Sequence, residues 1–425
     1  MTLPYISSYY ADSANLAPPR PSLSGDIETD VCVIGGGIAG CSTALHLAER
    51  GYRVALLEAK RIGWGASGRS GGQALTGFAS GQHKLVRQVG ADAARRMWDI
   101  SVEGLALLKD LVQRHSIDCD LQWGAMYVAV KERQRTDLLS EVEETQRLYG
   151  YDTLRFLERA DVEALVSTQR YCAGVHDSGS GHLHPLNYTL GLAAAADHAG
   201  VRLFENTEVE SIEPGEPVTL RTAQGRVKAK FAVLCCNAYI GPLAPALRAR
   251  IMPVGTYIIA TETLGEARMA ELIRENIAVS DVNFVLDYFR RSADHRLLFG
   301  GRVSYSGLNS FRTERATRTR MLKVFPQLSD VRIQYAWGGY VDITMSRAPD
   351  FGRMSPNLYY LQGFSGHGIA LSTIAGKLVA EAIAGHAERF DLFSHLKHRD
   401  FPGGPLLRTP ALMLAMMWYR LRDLL

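Results

Sequence analysis

Residues 30–58 read DVCVIGGGIAGCSTALHLAERGYRVALLE. Val31–Ile34 is a short apolar run bounded by charge and glycine, which predicts a buried strand. Ile38–Arg50 carries its apolar residues on one helical stripe, and Gly51 stands where helices commonly end. A second apolar run, Arg53–Leu57, follows directly. The order strand, helix, strand predicts a parallel sheet and therefore an α/β fold.

The turn between this first strand and its helix has the pattern G-x-G-x-x-G. Gly35 permits the tight turn, Gly37 lets backbone approach a pyrophosphate, and Gly40 lets the helix pack closely on the strand. Glu58 can accept hydrogen bonds from both ribose hydroxyls of an adenosine. The segment predicts a dinucleotide site but does not decide between FAD and NAD. The predicted contacts here are Gly35, Gly37, Ile38, Ala39, Gly40, Glu58 and Ala59.

Two further glycine-rich segments favour a flavin. Residues 61–73, RIGWGASGRSGGQ, offer unhindered N–H groups that can line a pyrophosphate, a ribityl chain and a ring edge, although a mobile loop is the alternative. The strand-like Leu358–Gln362 precedes the turn GFSGHG and a helix whose N-terminus can stabilise reduced flavin, with a simple helix cap as the alternative. The predicted contacts are Arg61, Ala66, Ser67, Gly68, Arg69, Gly71, Gly72, Gln73, Gly363, Gly366, His367, Gly368 and Ile369.

The rest of the chain predicts a second domain with a mixed sheet. Helical patterns cover Ala91–His115, Lys131–Tyr149, Pro185–Ala199, Arg312–Phe325 and Ile369–Ala384. Strand-like runs cover Met126–Val130, Met252–Thr261, Phe284–Arg290, Leu297–Gly301 and Arg332–Trp337. We expect residues 1–86, 176–240 and 340–425 to form the cofactor domain, and residues 87–175 and 241–339 to form the substrate domain.

Composition excludes several classes of protein. A formal charge of +3 over 425 residues, without a dense basic run, argues against a nucleic-acid partner. Six scattered cysteines without a C-x-x-C pair predict a reducing compartment, hence the cytoplasm, and His182 and His184 lack the companions of a metal site. Residues 406–425 are apolar, but their uninterrupted core is too short to span a bilayer, so we expect a self-docked helix, with a partner helix or a surface anchor as alternatives. No sustained heptad specifies an oligomer, which stays open.

Taken together, these residues resemble the superfamily of FAD-dependent D-amino-acid oxidases and glycine or sarcosine oxidases. Further segments that carry the resemblance are residues 8–11 (SYYA), 181–187 (GHLHPLN) and 401–404 (FPGG). The resemblance implies a Rossmann-type FAD domain joined to a substrate domain whose mixed antiparallel sheet covers the flavin. It places the backbone of Val209 against adenine. It also implies non-covalent FAD, because none of the cysteines lies near the segment where some relatives attach it.

The resemblance also implies an amine substrate. Relatives that oxidise amino acids commonly carry an arginine where this chain has Trp337–Tyr340. We therefore expect oxidative deamination of a primary amine, gamma-glutamylputrescine or a related gamma-glutamylated polyamine, to aldehyde and ammonia in polyamine catabolism, with H₂O₂ formed if oxygen is the acceptor. The alternatives are a glycine- or sarcosine-type oxidase and a non-catalytic FAD- or NAD-binding protein.

Several side chains are candidates for the chemistry. An alkylamine is almost wholly protonated at pH 7, so the site must favour its neutral form, by desolvation beside aromatic rings and by a proton acceptor. The candidate acceptors are His367 and His184. The candidate substrate contacts are Tyr257, Tyr288, Arg302 and Trp337, with Phe284 as a further ring and Arg290 or Arg347 as further carboxylate ligands.

Overall fold

The structure, a computed structural model, describes residues 4–304 and 310–402, without the side chains between 302 and 312. Its helices are α1 Tyr9–Asp12, α2 Ile38–Ala48, α3 Gln82–Val89, α4 Ala91–Arg114, α5 Glu132–Tyr149, α6 Arg159–Leu165, α7 Pro185–His198, α8 Pro245–Arg250, α9 Glu266–Leu272, α10 Ser310–Val324, α11 Ile369–Ile383 and α12 Glu388–Ser394. Among the described residues, none of these helices has the length and apolarity that a bilayer crossing requires. The helix predicted over 406–425 lies outside the described residues.

The strands form two sheets. They are β1 Ile27–Ile34, β2 Val54–Leu57, β3 Gln73–Ala74, β4 Gln122–Ala129, β5 Leu154–Glu158, β6 Ala173–His182, β7 Arg202–Phe204, β8 Val209–Glu213, β9 Val218–Thr222, β10 Gly225–Leu234, β11 Ile251–Thr261, β12 Ala278–Asp281, β13 Tyr288–Arg291, β14 Leu297–Ser304, β15 Ile333–Thr344, β16 Asp350–Ser355 and β17 Leu358–Gln362.

The first sheet confirms the predicted parallel α/β unit. Its order is β16-β17-β10-β1-β2-β7, and all neighbours pair in parallel except β16 with β17. In register, Val33 of β1 lies between Val233 of β10 and Leu56 of β2. The hairpin of β8 and β9 joins the first half of β10. The carboxyl ends of the parallel strands therefore meet at one edge, where ligands bind in such sheets.

A helical layer covers one face of this sheet. Residues of α2, α4, α7 and α11 share one apolar core with β1 and β2. Close contact of α2 with α11 depends on Gly376, because a Cβ there would lie 2.5 Å from the nitrogen of Thr43. We assigned α4 to the substrate domain from the sequence, but Met97, Ile100 and Leu108 pack into this first core. We therefore propose that α4 belongs with the cofactor domain.

The second sheet is mixed, as predicted. Its order is β15-β11-β14-β13-β12-β4-β6-β3, and β5 pairs with β6. Only β12 with β4 is parallel among the pairs of described strands in this sheet. Helices α6, α9 and α10 bury one face of it in a core that includes Phe289, Phe299 and Phe325. The other face turns toward α1, α7 and the glycine-rich loop at residues 61–73.

Candidate active site

The fingerprint turn has the close contacts that its glycines permit. Gly35 has φ 107°, and a Cβ there would lie 2.6 Å from the carbonyl oxygen of Cys235. A Cβ on Gly40 would lie 1.9 Å from the carbonyl oxygen of Gly35. Gly37 caps α2 without a side-chain hydrogen bond, so the first N–H groups of that helix face the turn. The arrangement suits a phosphate at a helix N-terminus.

Glu58 lies beside this turn at the end of β2. One carboxylate oxygen accepts a hydrogen bond from the nitrogen of Gly36 at 2.7 Å, and the other accepts from the nitrogen of Lys60 at 2.8 Å. Burial raises the pKa of Glu58, and these two N–H donors partly offset that effect. The carboxylate is thus held at the strand end with acceptor capacity for ribose hydroxyls.

The loop at residues 61–73 packs onto the fingerprint turn. Ser67 accepts a hydrogen bond from the nitrogen of Ile38 at 3.0 Å, and the nitrogen of Gly63 donates to the carbonyl oxygen of Gly36 at 2.8 Å. Within the described part of the chain, Nε of Arg61, Nη2 of Arg69 and Oγ of Ser70 are buried without a hydrogen-bond partner. Buried polar atoms require partners. These orphaned donors fit a phosphate-bearing, polar cofactor such as FAD.

The third segment, residues 363–368, connects β17 to α11 and lies against the same loop region. Nε2 of His367 donates to the carbonyl oxygen of Thr76 at 2.7 Å, and burial lowers the pKa of His367. The histidine is therefore neutral and ties this turn to the chain that follows β3. Any proton acceptance by His367 falls to its other nitrogen, Nδ1. All three glycine-rich segments meet at the carboxyl edge of the first sheet.

Asp342 on β15 supports the third segment and was missed from the sequence. Its carboxylate accepts a hydrogen bond from the nitrogen of Gly363, and the nitrogen of Ser365 donates to its carbonyl oxygen at 2.9 Å. Burial raises the pKa of Asp342 to about 7. An aspartate within an apolar, strand-like run could have pointed to this residue. The strand predicted from the sequence, however, ended at Trp337, before Asp342.

Trp337 holds the 61–73 loop against the second sheet. Its Nε1 donates to the carbonyl oxygen of Arg69 at 3.0 Å, and its ring meets Tyr10 with centroids 5.2 Å apart. The guanidinium of Arg69 in turn lies 4.0 Å from the ring of Trp64. Trp337 is 4% exposed. The predicted substrate contact is therefore a buried support of the cofactor loop.

The other predicted substrate residues divide between the two faces of the second sheet. Tyr288 shares the Trp337 face, where its ring covers Gly300 and blocks any side chain on Gly71. Tyr257 projects from the opposite face, and a Cβ on its cross-strand neighbour Gly338 would lie 2.8 Å from its ring. Successive residues of a strand alternate between faces, so Tyr257 and Trp337 cannot contact one ligand together. The backbone of Arg302 pairs with Tyr257, and its side chain lies outside the described ones.

His184, a predicted proton acceptor, caps helix α7 in the structure. Its Nδ1 accepts from the nitrogen of Asn187 at 3.1 Å, which caps α7, and its Nε2 donates to Oγ of Ser13 at 3.1 Å. Burial lowers its pKa to about 3. Both ring nitrogens are committed to hydrogen bonds within the protein, so the geometry favours a capping role for His184 over proton acceptance.

Arg290 is likewise committed to structure. Its guanidinium is buried and donates to the carbonyl oxygens of Gly71 and Leu183 and to the hydroxyl of Tyr10, at 2.8, 2.9 and 3.0 Å. It therefore fixes the 61–73 loop rather than binding a substrate carboxylate.

Glu205 is a second residue that sequence reasoning missed. Its carboxylate accepts from the nitrogens of Ile62 and Arg20 at 2.8 and 3.1 Å and lies 3.8 Å from Nε of Arg61. Nearby Val209, the predicted adenine contact, is buried at the start of β8. Among the described residues, no cluster of His, Cys, Asp and Glu side chains suits a metal ion.

Comparison with known proteins agrees with this geometry. A family model described as "DAO: FAD dependent oxidoreductase" matches residues 30–382. The gamma-glutamylputrescine oxidoreductase of Escherichia coli (strain K12) is 43% identical over 99% of this chain and 98% of its own. The probable oxidoreductase OrdL of Haemophilus influenzae is 40% identical over 99% and 97%. Glycine oxidase from Geobacillus kaustophilus has a crystal structure that matches with a TM-score of 0.71 at 22% identity, covering 84% of this chain and 95% of that one. This last likeness shows a shared fold alone.

Proposed function

The chain belongs to the family of FAD-dependent oxidoreductases, and from that membership we propose that it oxidatively deaminates a primary amine. The proposed substrate is gamma-glutamylputrescine or a related gamma-glutamylated polyamine, and the products are an aldehyde and ammonia. The observation that carries the proposal is the 43% identity, over 99% of the chain, to an enzyme named for that substrate. Participation in polyamine catabolism follows from the same likeness.

The cofactor is FAD, and we propose which residues hold it. The fingerprint turn at 35–40 and the helix N-terminus at Ile38 face the pyrophosphate. Glu58 binds the adenosine ribose, and the 61–73 loop supplies the orphaned donors of Arg61, Arg69 and Ser70. The 363–368 turn contributes the N-terminus of α11 to the reduced flavin, where a helix dipole stabilises negative charge.

FAD supplies the two-electron oxidation of the carbon that bears the amine. The protein must supply the neutral amine, because a protonated amine has no lone pair to assist that oxidation. On the face of the second sheet that turns toward the 61–73 loop, the rings of Tyr288, Trp337 and Tyr10 form an apolar surface. Desolvation there lowers the pKa of an alkylamine. Proton acceptance by His367 remains part of the proposal.

Residues 337–344 of β15 carry no cationic side chain, which supports a polyamine substrate rather than a small amino acid. Among residues 337–344, the described part of β15 carries no arginine or lysine. An α-carboxylate held close to the oxidised carbon would therefore lack a partner from this strand.

The test is an anaerobic titration of the purified yellow protein while flavin absorbance is followed. Gamma-glutamylputrescine should bleach the flavin at far lower concentration than putrescine or spermidine, and glycine or sarcosine should leave it oxidised. Bleaching by glycine or sarcosine would place the chain with the amino-acid oxidases, the second candidate that the glycine oxidase fold keeps open. Resistance to every amine would contradict both.

A further inference from the structure

A cavity of about 440 Å³ opens at the edge of the second sheet. It lies between the N-terminal turn of α5, the chain that joins β12 to β13, and the turn after β15. Its volume falls within the roughly 300–1,000 Å³ typical of small-molecule sites. None of the flavin-holding segments described above lines it.

The charges in this cavity are of both signs. Arg133 and Asp137 lie one helical turn apart on α5, and side chains at that spacing share a face. Arg347 approaches from the turn after β15, with its guanidinium 4.4 Å from the ring of Phe284. Two guanidiniums attract a carboxylate, and a carboxylate beside them attracts an ammonium group. The set matches the zwitterion of an α-amino acid.

The same charges disfavour other ligands. A free polyamine carries only positive charge and would be repelled by Arg133 and Arg347. A phosphate or a dicarboxylate would place a second negative charge beside Asp137 and leave that carboxylate without a cationic partner on the ligand. Like-charge contacts reject the wrong partner as effectively as favourable contacts bind the right one.

Hydrogen bonds hold the floor of the cavity. Nε2 of Gln134 donates to Oδ1 of Asn283 at 2.9 Å, and Nδ2 of Asn283 donates to Oδ2 of Asp281 at 3.0 Å. Arg347 adopts φ 61°, a left-handed conformation that residues other than glycine keep only where their surroundings hold it. These contacts fix Gln134, Asn283 and the backbone of Arg347, while the side chains of Arg133 and Asp137 are exposed to an incoming ligand.

Two flavin-holding segments adjoin the cavity. The nitrogen of Thr344 donates to Oγ of Ser365 at 3.3 Å, and the nitrogen of Arg347 donates to the carbonyl oxygen of Thr344 at 3.0 Å, which closes a turn about 7 Å or less across. On the other side, Ser280 donates to Oε1 of Gln73 at 3.0 Å, two residues before the cavity wall begins at Val282.

We propose that this cavity binds the α-amino-acid end of the gamma-glutamylated amine, with the carboxylate against Arg133 and Arg347 and the α-ammonium beside Asp137. The inference rests on the proposed function and specifies how its substrate is recognised. In gamma-glutamylputrescine about eight bonds separate the oxidised carbon from the α-carbon, which is roughly 10 Å of extended chain. The proposal therefore places the amine end at the flavin, about that distance from the zwitterion in the cavity.

The experiment compares three amines with a common putrescine end. These are gamma-glutamylputrescine, N-glutarylputrescine, which lacks the α-ammonium, and N-butyrylputrescine, which lacks both charges. The variants are Arg133→Met, Arg347→Met and Asp137→Asn, and the matched control is Arg135→Met, which removes an arginine of the same helix that pairs with Glu158 at 2.6 Å outside the cavity. Flavin content and the midpoint of thermal unfolding report on folding in each variant.

Each arginine variant should lose roughly 10- to 100-fold in kcat/KM for gamma-glutamylputrescine and for N-glutarylputrescine, the range expected for a lost hydrogen bond to a charged group. Its kcat/KM for N-butyrylputrescine should change less than about twofold, as should all values for Arg135→Met. Asp137→Asn should lower kcat/KM for gamma-glutamylputrescine alone.

Equal losses on all three amines, or none in Arg133→Met, would overturn the proposed subsite while leaving the proposed function intact. A wild-type protein whose flavin gamma-glutamylputrescine does not reduce would instead overturn the proposed function, and the subsite with it.

Discussion

Replacing His184 by Asn separates a capping role from a catalytic one. Asn is a good N-cap residue, so the variant keeps an acceptor for the nitrogen of Asn187. It loses the hydrogen bond from Nε2 to Ser13, worth about 1 kcal/mol, and the edge contact with Tyr10 at 4.9 Å, worth about 1 kcal/mol more. At pH 7 the free energy of unfolding should therefore fall by about 2 kcal/mol.

Acidification should remove this difference in the free energy of unfolding between the variant and the wild type. The folded-state pKa of His184 is lowered to about 3, whereas the unfolded chain has the ordinary value of 6.5. Below pH 6.5 the unfolded state of the wild type takes up a proton that the folded state refuses, so this histidine destabilises the wild type by about 2 kcal/mol between pH 7 and pH 5. The variant has no such group, and its free energy of unfolding should equal that of the wild type near pH 5.

The assay is denaturant unfolding of both proteins, saturated with FAD, at pH 7, 6 and 5. Asn187→Ala serves as the control, because it removes a bond from the nitrogen of Asn15 that does not titrate, so its deficit should stay constant with pH. The contradicting result is a free energy of unfolding of His184→Asn that stays below that of the wild type by a constant or growing amount as the pH falls. That result would refute the claim that His184 is buried with a lowered pKa. A loss of kcat beyond about 100-fold in a folded, flavin-loaded variant would restore the catalytic role.

Three further substitutions test the cofactor site. Gly40→Ala should abolish FAD retention after gel filtration, because its Cβ would lie 1.9 Å from the carbonyl oxygen of Gly35 and the fingerprint turn must open. Glu58→Gln should weaken FAD binding about 10-fold or more, measured by flavin fluorescence, since it replaces one acceptor oxygen for the ribose hydroxyls with an amide N–H donor; unchanged affinity would contradict its role. Trp337→Phe should lower the free energy of unfolding by about 1 kcal/mol through the lost bond to Arg69, while the specificity among amines stays unchanged; altered specificity would return Trp337 to the substrate contacts.

The sequence predicted the first sheet and its ligand edge because local patterns specify them. β17 has the predicted bounds, and α2, α4, α5, α7 and α11 begin and end within two residues of prediction. The fingerprint turn needed only neighbouring residues, since glycine spacing between a strand and a helix expresses a steric requirement that is local in the chain. The parts of the site that lie within such segments could accordingly be proposed from the sequence alone.

The features that the sequence did not predict depend on contacts between residues that are distant in the chain. The strand predicted to end at Trp337 continues through Gly338 and Gly339 to Thr344, because those glycines make room for Tyr257 and Arg69 rather than break the strand. Asp342 was missed for that reason.

The strand predicted from Phe284 begins only at Tyr288, and the intervening chain forms a wall of the cavity instead. The face that a strand residue occupies depends on strand register, which the sequence pattern did not supply. The capping role of His184 depends on where helix α7 begins and on its contact with Ser13.

The central claim is that FAD oxidises the amine at the putrescine end of the molecule. Gamma-glutamylputrescine carries two amines, so the product identifies which one reacts. After a single anaerobic turnover, mass spectrometry should find the aldehyde at the putrescine end with one equivalent of ammonia and an intact glutamyl α-amine. A 2-oxo acid formed at the glutamyl end would contradict the account and place the chain among the amino-acid oxidases.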